Sequence, residues 1–217
     1  MTQTAPSERT RLRRLHERGA HDRETIDAIL DAGVLCHVGY VVDGSPHVTP
    51  TLYWREGDRV YWHGSSASAM LRRSVGAEVC LSVTHMDGFV MARSGFHHSV
   101  NFRSVMIFGT AEKVEDPGDK LAGLEAFVEH LFPGRWPSLR PVTDQELKAT
   151  TVLSMPIEEA SAKIRTGPPV DDEEDYALPV WAGVVPLGVS LGEPEPCPRL
   201  ASGTPVPGHL SRFVPGK

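Results

Sequence analysis

Two stretches of this 217-residue chain concentrate side chains that can do chemistry. In the first, Trp62-His63-Gly64-Ser65-Ser66-Ala67-Ser68, a β-type run passes through a turn of small residues into a helical one. Such a junction offers backbone N–H groups, the positive end of a helix dipole and several hydroxyl donors, a combination suited to a phosphate dianion. Arg72, Arg73 or Arg103 can add charge, although an ordinary serine-capped turn has the same composition. In the second stretch, residues 92–105, Arg93, Ser94, His97, His98, Ser99, Asn101, Arg103 and Ser104 crowd between two apolar strands. Short β-connections are compact, so this density reads as the wall of a site, with a solvated loop as the alternative.

Other chemistries lack their signatures. His63, His85, His97 and His98 sit near strand ends, but adjacent His97 and His98 point opposite ways on an extended chain. No HxH, HExxH or nearby cysteine or carboxylate completes a ligand set, so no metal site is expected. Gly-x-Ser-x-Gly and Gly-x-Gly-x-x-Gly are both missing, which argues against a serine hydrolase elbow and a Rossmann site. The acidic run 171–175 lacks the turn glycines of a cation loop and reads as solvated.

The elements that must hold these residues are mostly strands. After a basic start, residues 1–20, Asp22 can cap a short amphipathic helix that carries Ile26, Ile29 and Leu30 and ends at Gly33. Strands are expected over 34–42, 47–54 and 59–63, joined by Gly-containing turns, then over 78–85 and 88–93 around a Met86-Asp87 turn, and over 102–114. Asp116-Pro117 starts a helix with an apolar stripe, and Thr143 with Glu146 forms a capping box for a second. Residues 150–164 read as a last strand with Pro156 at a bulge or edge, although 157–164 also fits a helix. Many antiparallel strands with few intervening helices argue for a small barrel with peripheral helices.

Bulk composition narrows the classes further. A length of 217 suits one domain with appendages, here 21–187, flanked by the basic extension and a Pro/Gly-rich tail over 188–217. A formal charge of -6 supplies no cationic field for nucleic acid or an anionic membrane, and the arginines at 9, 11, 13, 14 and 18 read as a solvated helical face. Cys36, Cys80 and Cys197 have no CxxC spacing, and the first two read as reduced core thiols. The polar start at residues 2–4 lacks the apolar core of a secretory signal, and no bilayer-length apolar run follows, so a cytoplasmic location is expected.

In order, several segments resemble the pyridoxamine-5'-phosphate-oxidase-like family of flavin-nucleotide-binding proteins, in the branch that includes nitroimidazole-resistance proteins. They are Arg18-Gly19-Ala20-His21-Asp22, Cys36-His37-Val38-Gly39-Tyr40, His47-Val48-Thr49-Pro50-Thr51, Tyr61-Trp62-His63-Gly64-Ser65-Ser66, residues 96–109 and residues 160–167. The resemblance implies a mainly β, six-stranded antiparallel split β-barrel, working as a homodimer with one FMN in each of two interface grooves. It places the phosphate on His63, Gly64, Ser65, Ser66, Ala67 and Ser68, and the isoalloxazine edge along Thr49, Pro50 and Thr51. It also brings Asn101, Arg103 and Ser104 to the flavin and has Lys163 and Trp181 close the groove.

The arginine- and histidine-bearing segment that grips pyridoxamine phosphate in the family's best-known enzyme has no counterpart in 180–217, so oxidation of that vitamin is not expected. His97 and His98 become candidate catalytic groups on the substrate side of the ring. The implied activity is an FMN-dependent oxidoreductase passing hydride at flavin N5 to or from a small nitroaromatic or quinone-like molecule, with NAD(P)H as candidate donor. The alternatives are a flavin-binding or redox-sensing protein without turnover, and a haem-binding split barrel motivated by the histidine-rich loops. Deazaflavin is an alternative to FMN.

Overall fold

The computed structural model describes residues 5–212; the polar start at 2–4 and the end of the tail, 213–217, lie outside the described residues. After β1 (Gly19–Ala20), Asp22 accepts from the Thr25 N–H at 2.8 Å and starts α1 (Arg23–Asp31), which buries Ile26, Ile29 and Leu30. A two-residue turn, Asp43-Gly44, with φ of 50° and 80°, joins β2 (Leu35–Val42) to β3 (Ser45–Glu56), the geometry that keeps a tight hairpin in the sheet's own twist. There follow β4 (Arg59–Ser65), α2 (Ala69–Ser74), β5 (Glu78–Met91), β6 (Ser99–Thr110), β7 (Glu112–Lys113) and α3 (Pro117–Leu131). Then come α4 (Asp144–Ala149), β8 (Thr150–Pro156), β9 (Glu159–Arg165) and β10 (Gly183–Pro186). The caps expected from sequence are formed: Asp116 accepts from Gly118 and Asp119, and Thr143 and Glu146 make the reciprocal box.

The strands make one antiparallel sheet in the order β1-β9-β6-β5-β2-β3-β4-β8-β7, with β10 added on β5. The strand expected over 150–164 is divided at Pro156 into β8 and β9, which pair with β4 and β6 from opposite directions. That one segment curls the sheet closed, and the result is the expected split barrel. Its inside is filled by Tyr53, Trp62, Val38, Leu81, Val105, Ile107, Leu153 and Met155, with Leu30 of α1 plugging one end. On the outside, α3 covers β3 and β4, where Phe127 packs 5.4 Å from Trp54 and Trp54 stacks on Tyr61.

Four expectations change. Met86 and Asp87 do not turn the chain; β5 runs straight through them with a bulge before Gly88, because the apolar alternation continues on both sides and Asp87 is drawn to Arg103. The apolar stretch after residue 175 supplies an unforeseen strand, β10, on the part of β5 beyond β2. The basic start forms no helical face: Arg9 bridges Glu78 and Glu159 and lies over the Phe108 ring, while a 3-10 turn spans His16–Arg18. The acidic run is not wholly solvated, since the Asp171 carboxylate is fully enclosed. Cys36 is in the core, where burial pushes its thiol up to about 12, so it stays unreactive at neutral pH. No described helix is long and apolar enough to cross a membrane.

Where α1 meets the barrel, Gly33 is buried between anchored side chains. Tyr53 donates its hydroxyl to Leu30 O at 2.5 Å, His85 donates Nε2 to Ile29 O at 2.9 Å, and His130 donates Nε2 to Gly33 O at 2.9 Å. A Cβ at Gly33 would lie 2.7 Å from Tyr53 Oη and 2.9 Å from His85 Cε1. Neither neighbour can retreat without losing its bond. Gly33→Ala should therefore destabilise the fold by about 1–3 kcal/mol, read as a lower denaturation midpoint in urea.

Candidate functional site

The serine turn lies at the end of β4, but it leans away from β3. The β3–β4 ladder ends at the Tyr53–Trp62 pair, whereas His63, Gly64 and Ser65 pair only with Val152, Thr151 and Thr150 of β8. The turn's backbone donors are already engaged: Ser66 N with Ala149 O at 2.8 Å, Ala67 N with Ser65 Oγ at 3.2 Å, and Ser68 N with Ser65 O at 2.8 Å. Since α2 has only six residues, no long helix dipole is on offer. Side chains provide the positive field instead. A cavity of about 360 Å³ between the turn, α3 and α4 is lined by Ser66, Arg72, Lys113, Lys120, Lys148, Thr150 and Thr151. Lys120 donates to the Leu147 and Thr150 carbonyls and Lys113 pairs with Glu115, but Arg72 and Lys148 have no acidic partner among the described residues. His63 is not part of this cavity. Its ring sits under α3, 4.6 Å from Phe127, with Nδ1 buried and unpartnered, and burial lowers its pKa.

A second feature is the outer sheet face that no helix covers. Strand alternation places Leu35, His37, Gly39 and Val41 of β2 beside Leu52, Pro50, Val48 and Pro46 of β3, and Ser82 and Cys80 of β5 beside Met106 and Phe108 of β6. Val48 and Val41 are 67% and 63% exposed, and Leu35, Leu52 and Met106 are also exposed. At one corner this face dips into a groove of about 580 Å³ bordered by Arg9, Gly39, Tyr40, His47, Val48 and Phe108, where Tyr40 and His47 stack at 5.5 Å. The rings of His37 and His47 have no hydrogen-bond partner among the described residues. Of the trio expected along the flavin edge, Pro50 points to this face, whereas Thr49 and Thr51 share the opposite side with Val38 and Cys36. Thr49 Oγ1 meets Tyr40 Oη at 3.3 Å.

The polar loop after β5 is held by the chain's C-terminal third. The enclosed Asp171 carboxylate accepts from Arg93 N and from the Arg93 guanidinium, both at 2.9 Å, and the same guanidinium lies over the Tyr176 ring. His97 Nε2 is 3.3 Å from Asp172, and His98 Nδ1 is 2.8 Å from Ser94 O. Farther along, Asn101 is buried, with Nδ2 donating to Gly167 O at 3.1 Å and Oδ1 accepting from Arg165. Arg103 is paired with Asp87 at 3.0 Å. Ser104 donates to the Lys163 carbonyl at 3.3 Å, leaving the Lys163 ammonium free of carboxylates among the described residues. Trp181 is 68% exposed and packs against Gly183 at the start of β10.

The candidate residues thus fall into three groups that one chain does not bring together: the serine turn with its lysines, the β3 edge, and the β6–β9 corner, which β5 and β2 separate from β3. Sequence reading did not find Lys113, Lys120 and Lys148, because they come from three elements distant in sequence. Nor did it find Asp171, whose acidic neighbours suggest solvent. Among the described residues no three His, Cys, Asp or Glu side chains converge as a metal cage.

A sequence model of the family described as pyridoxamine 5'-phosphate oxidase matches residues 22–164. No curated protein sequence matches. Among solved structures, the flavocytochrome Anf3 from Azotobacter vinelandii has a TM-score of 0.92 at 51% identity, over 96% of this chain and 98% of that one. The FAD and haem binding protein from Mycobacterium smegmatis has a TM-score of 0.87 at 39% identity, over 91% and 97%. A candidate 5-nitroimidazole antibiotic resistance protein from Bacteroides thetaiotaomicron reaches only 0.56 at 23% identity, over 67% and 86%, and shares the fold alone. The expected kinship with the nitroimidazole-resistance branch is therefore corrected: sequence likeness along nearly the whole chain runs to the flavocytochrome and its mycobacterial counterpart.

The Arg93–Asp171 clasp gives a measurable pH dependence. Burial pushes the Asp171 carboxyl up, but the Arg93 N–H, its guanidinium and nearby His97 outweigh it and hold the group below its ordinary range. A carboxyl depressed by folding contributes stability above its unfolded pKa, about 3.9, and loses it as pH falls through the folded value. Protection of the Arg93 amide, the ratio of its intrinsic to its observed exchange rate, should be high at neutral pH and fall below about pH 4. Asp171→Asn should give on the order of tenfold faster exchange at pH 7, and unchanged exchange would mean that the clasp does not order this loop.

Proposed function

The chain belongs to the pyridoxamine 5'-phosphate oxidase family, and from that membership we propose that it is a redox protein carrying FAD together with haem. The observation that carries the reading is 51% identity over 96% of the chain to a protein named as a flavocytochrome, joined by 39% identity to one described as binding FAD and haem. FAD replaces the FMN expected from sequence, and the haem-binding alternative moves from the margin to the centre.

The residues present fit both groups. Arg72, Lys148 and the hydroxyl of Ser66 surround a cavity that suits a phosphoryl oxygen, and these side chains take over the task expected of the turn's amides. The uncovered sheet face of Leu35, Val41, Val48, Leu52 and Met106 suits planar, apolar rings, and His37 and His47 offer unpartnered imidazole nitrogens on or beside it. Flavin, when bound, supplies hydride exchange with a small donor or acceptor and one-electron exchange with haem. The chain's part is to bind, orient and exclude water: cations fix the phosphoryl end, the sheet face shuts solvent from the rings, and the clasped loop with His97 and His98 borders the approach.

A second copy of the chain completes this arrangement. The apolar outer face is too extensive to leave in water, and the β3 edge and β6–β9 corner lie apart on it, so two copies related by a twofold axis bring one group from each against the same cofactor. The reading supports an oxidoreductase whose small-molecule substrate and donor, NAD(P)H or another, are fixed by turnover assays.

The test is the purified protein's spectrum and the identity of the released cofactors. Flavin bands with a Soret band, and FAD on chromatography after denaturation, are expected; FMN with no Soret band would sink the reading. Arg72→Gln with Lys148→Gln should weaken FAD binding by about a hundredfold, at about tenfold per lost charge-assisted contact, without removing riboflavin binding.

A further inference from the structure

The end of β9 holds a positive charge without a negative one. Arg165 is 8% exposed, yet its guanidinium meets only neutral acceptors, Asn101 Oδ1 and, at 3.4 Å, the Pro168 carbonyl. Asn101 is itself fixed by its bond to Gly167 O. No carboxylate pairs with Arg165, Arg18 or Lys163 among the described residues, and the acids nearby are committed elsewhere: Asp87 to Arg103, Asp171 to Arg93, Glu159 to Arg9. Burial, and then the charge of Arg18, both work against the Arg165 cation. Arginine cannot escape this cost by losing its proton, so an enclosed guanidinium without a counter-ion stays unfavourable until an anion arrives.

Position and shape say which anion. Arg165 lies opposite Phe102 and Lys163 opposite both Ser104 and Gly19, at one edge of the uncovered sheet face, and Arg18, the residue before Gly19, is near enough to Arg165 to oppose its charge. The phosphoryl group already has a lysine-lined cavity behind the serine turn. A planar guanidinium fork, pinned by Asn101, matches a planar carboxylate.

We propose that Arg165 and Arg18 form a carboxylate-binding site that receives a propionate of the bound haem. The proposal rests on the haem reading above. Asn101 acts as a positioning residue that keeps the Arg165 fork facing its ligand.

The test compares haem with haem dimethyl ester, whose propionates carry no charge, in Soret-monitored titrations of the full-length protein. The wild type should bind haem about tenfold or more tighter than the ester, and Arg18→Gln should abolish most of that preference. Arg165→Lys, which keeps the charge and loses the fork, should fall between the two. FAD binding, followed by flavin fluorescence, should be the same in all three proteins. Equal binding of haem and ester by the wild type would overturn the proposal while leaving the haem reading intact. Weakened FAD with unchanged haem in Arg18→Gln would assign the cations to a phosphate and overturn it too. A wild type that gives no Soret band with added haem would overturn both.

Discussion

One sheet has to satisfy two faces, and this chain buries only one of them by itself. The inner face is consumed by the barrel's own filling, with Trp62 and Tyr53 at its centre and Leu30 at its mouth. On the outer face, α3 covers the part around Trp54 and Tyr61, and Arg9 lies across Phe108 at another corner. Between them an apolar surface remains, with Val48 and Val41 the most exposed members. Burying that surface is worth roughly 25 cal/mol per Å² to whatever covers it, which in the proposed reading is flat rings and a second subunit.

Charge distribution sorts the surroundings of that face. Some cations are matched within the fold and serve it: Arg93 with Asp171, Arg103 with Asp87, Arg9 with two glutamates. Others stand without acids, Arg72 and Lys148 behind the serine turn, Arg18, Lys163 and Arg165 at the β9 edge. Paired groups hold loops in place, and unpaired ones repel one another until an anion joins them. In the proposed reading these two unpaired clusters receive two anionic groups, one phosphoryl and one carboxylate.

The same sorting explains what happened to the expected site. The turn of serines is where sequence places it, but its Ser66, Ala67 and Ser68 amides face Ala149 and Ser65, and the cations without acids beside it are Arg72 and Lys148, from two separate helices. His63 is turned under α3 by the strand alternation that sends Trp62 inward. Asn101 and Arg103, polar residues within β6, are engaged by Arg165 and Asp87: the enclosed Arg165 charge needs a fixed acceptor, and the half-buried Arg103 pairs with a carboxylate across the strand.

What the sequence by itself determined is local: the caps at Asp22, Asp116 and Thr143, the Asp43-Gly44 hairpin, and the alternation that makes β2 to β6 two-faced. Each depends on residues a few positions apart, so backbone sterics and hydrogen bonding specify it. Only the tertiary structure decided how Pro156 divides one apolar run between the two sides of the barrel, that β10 returns to β5, and that Asp171 is enclosed against Arg93. It also decided which cations lie near an acid and which do not. Pairing between charges depends on distance in space, and no spacing along the chain records it.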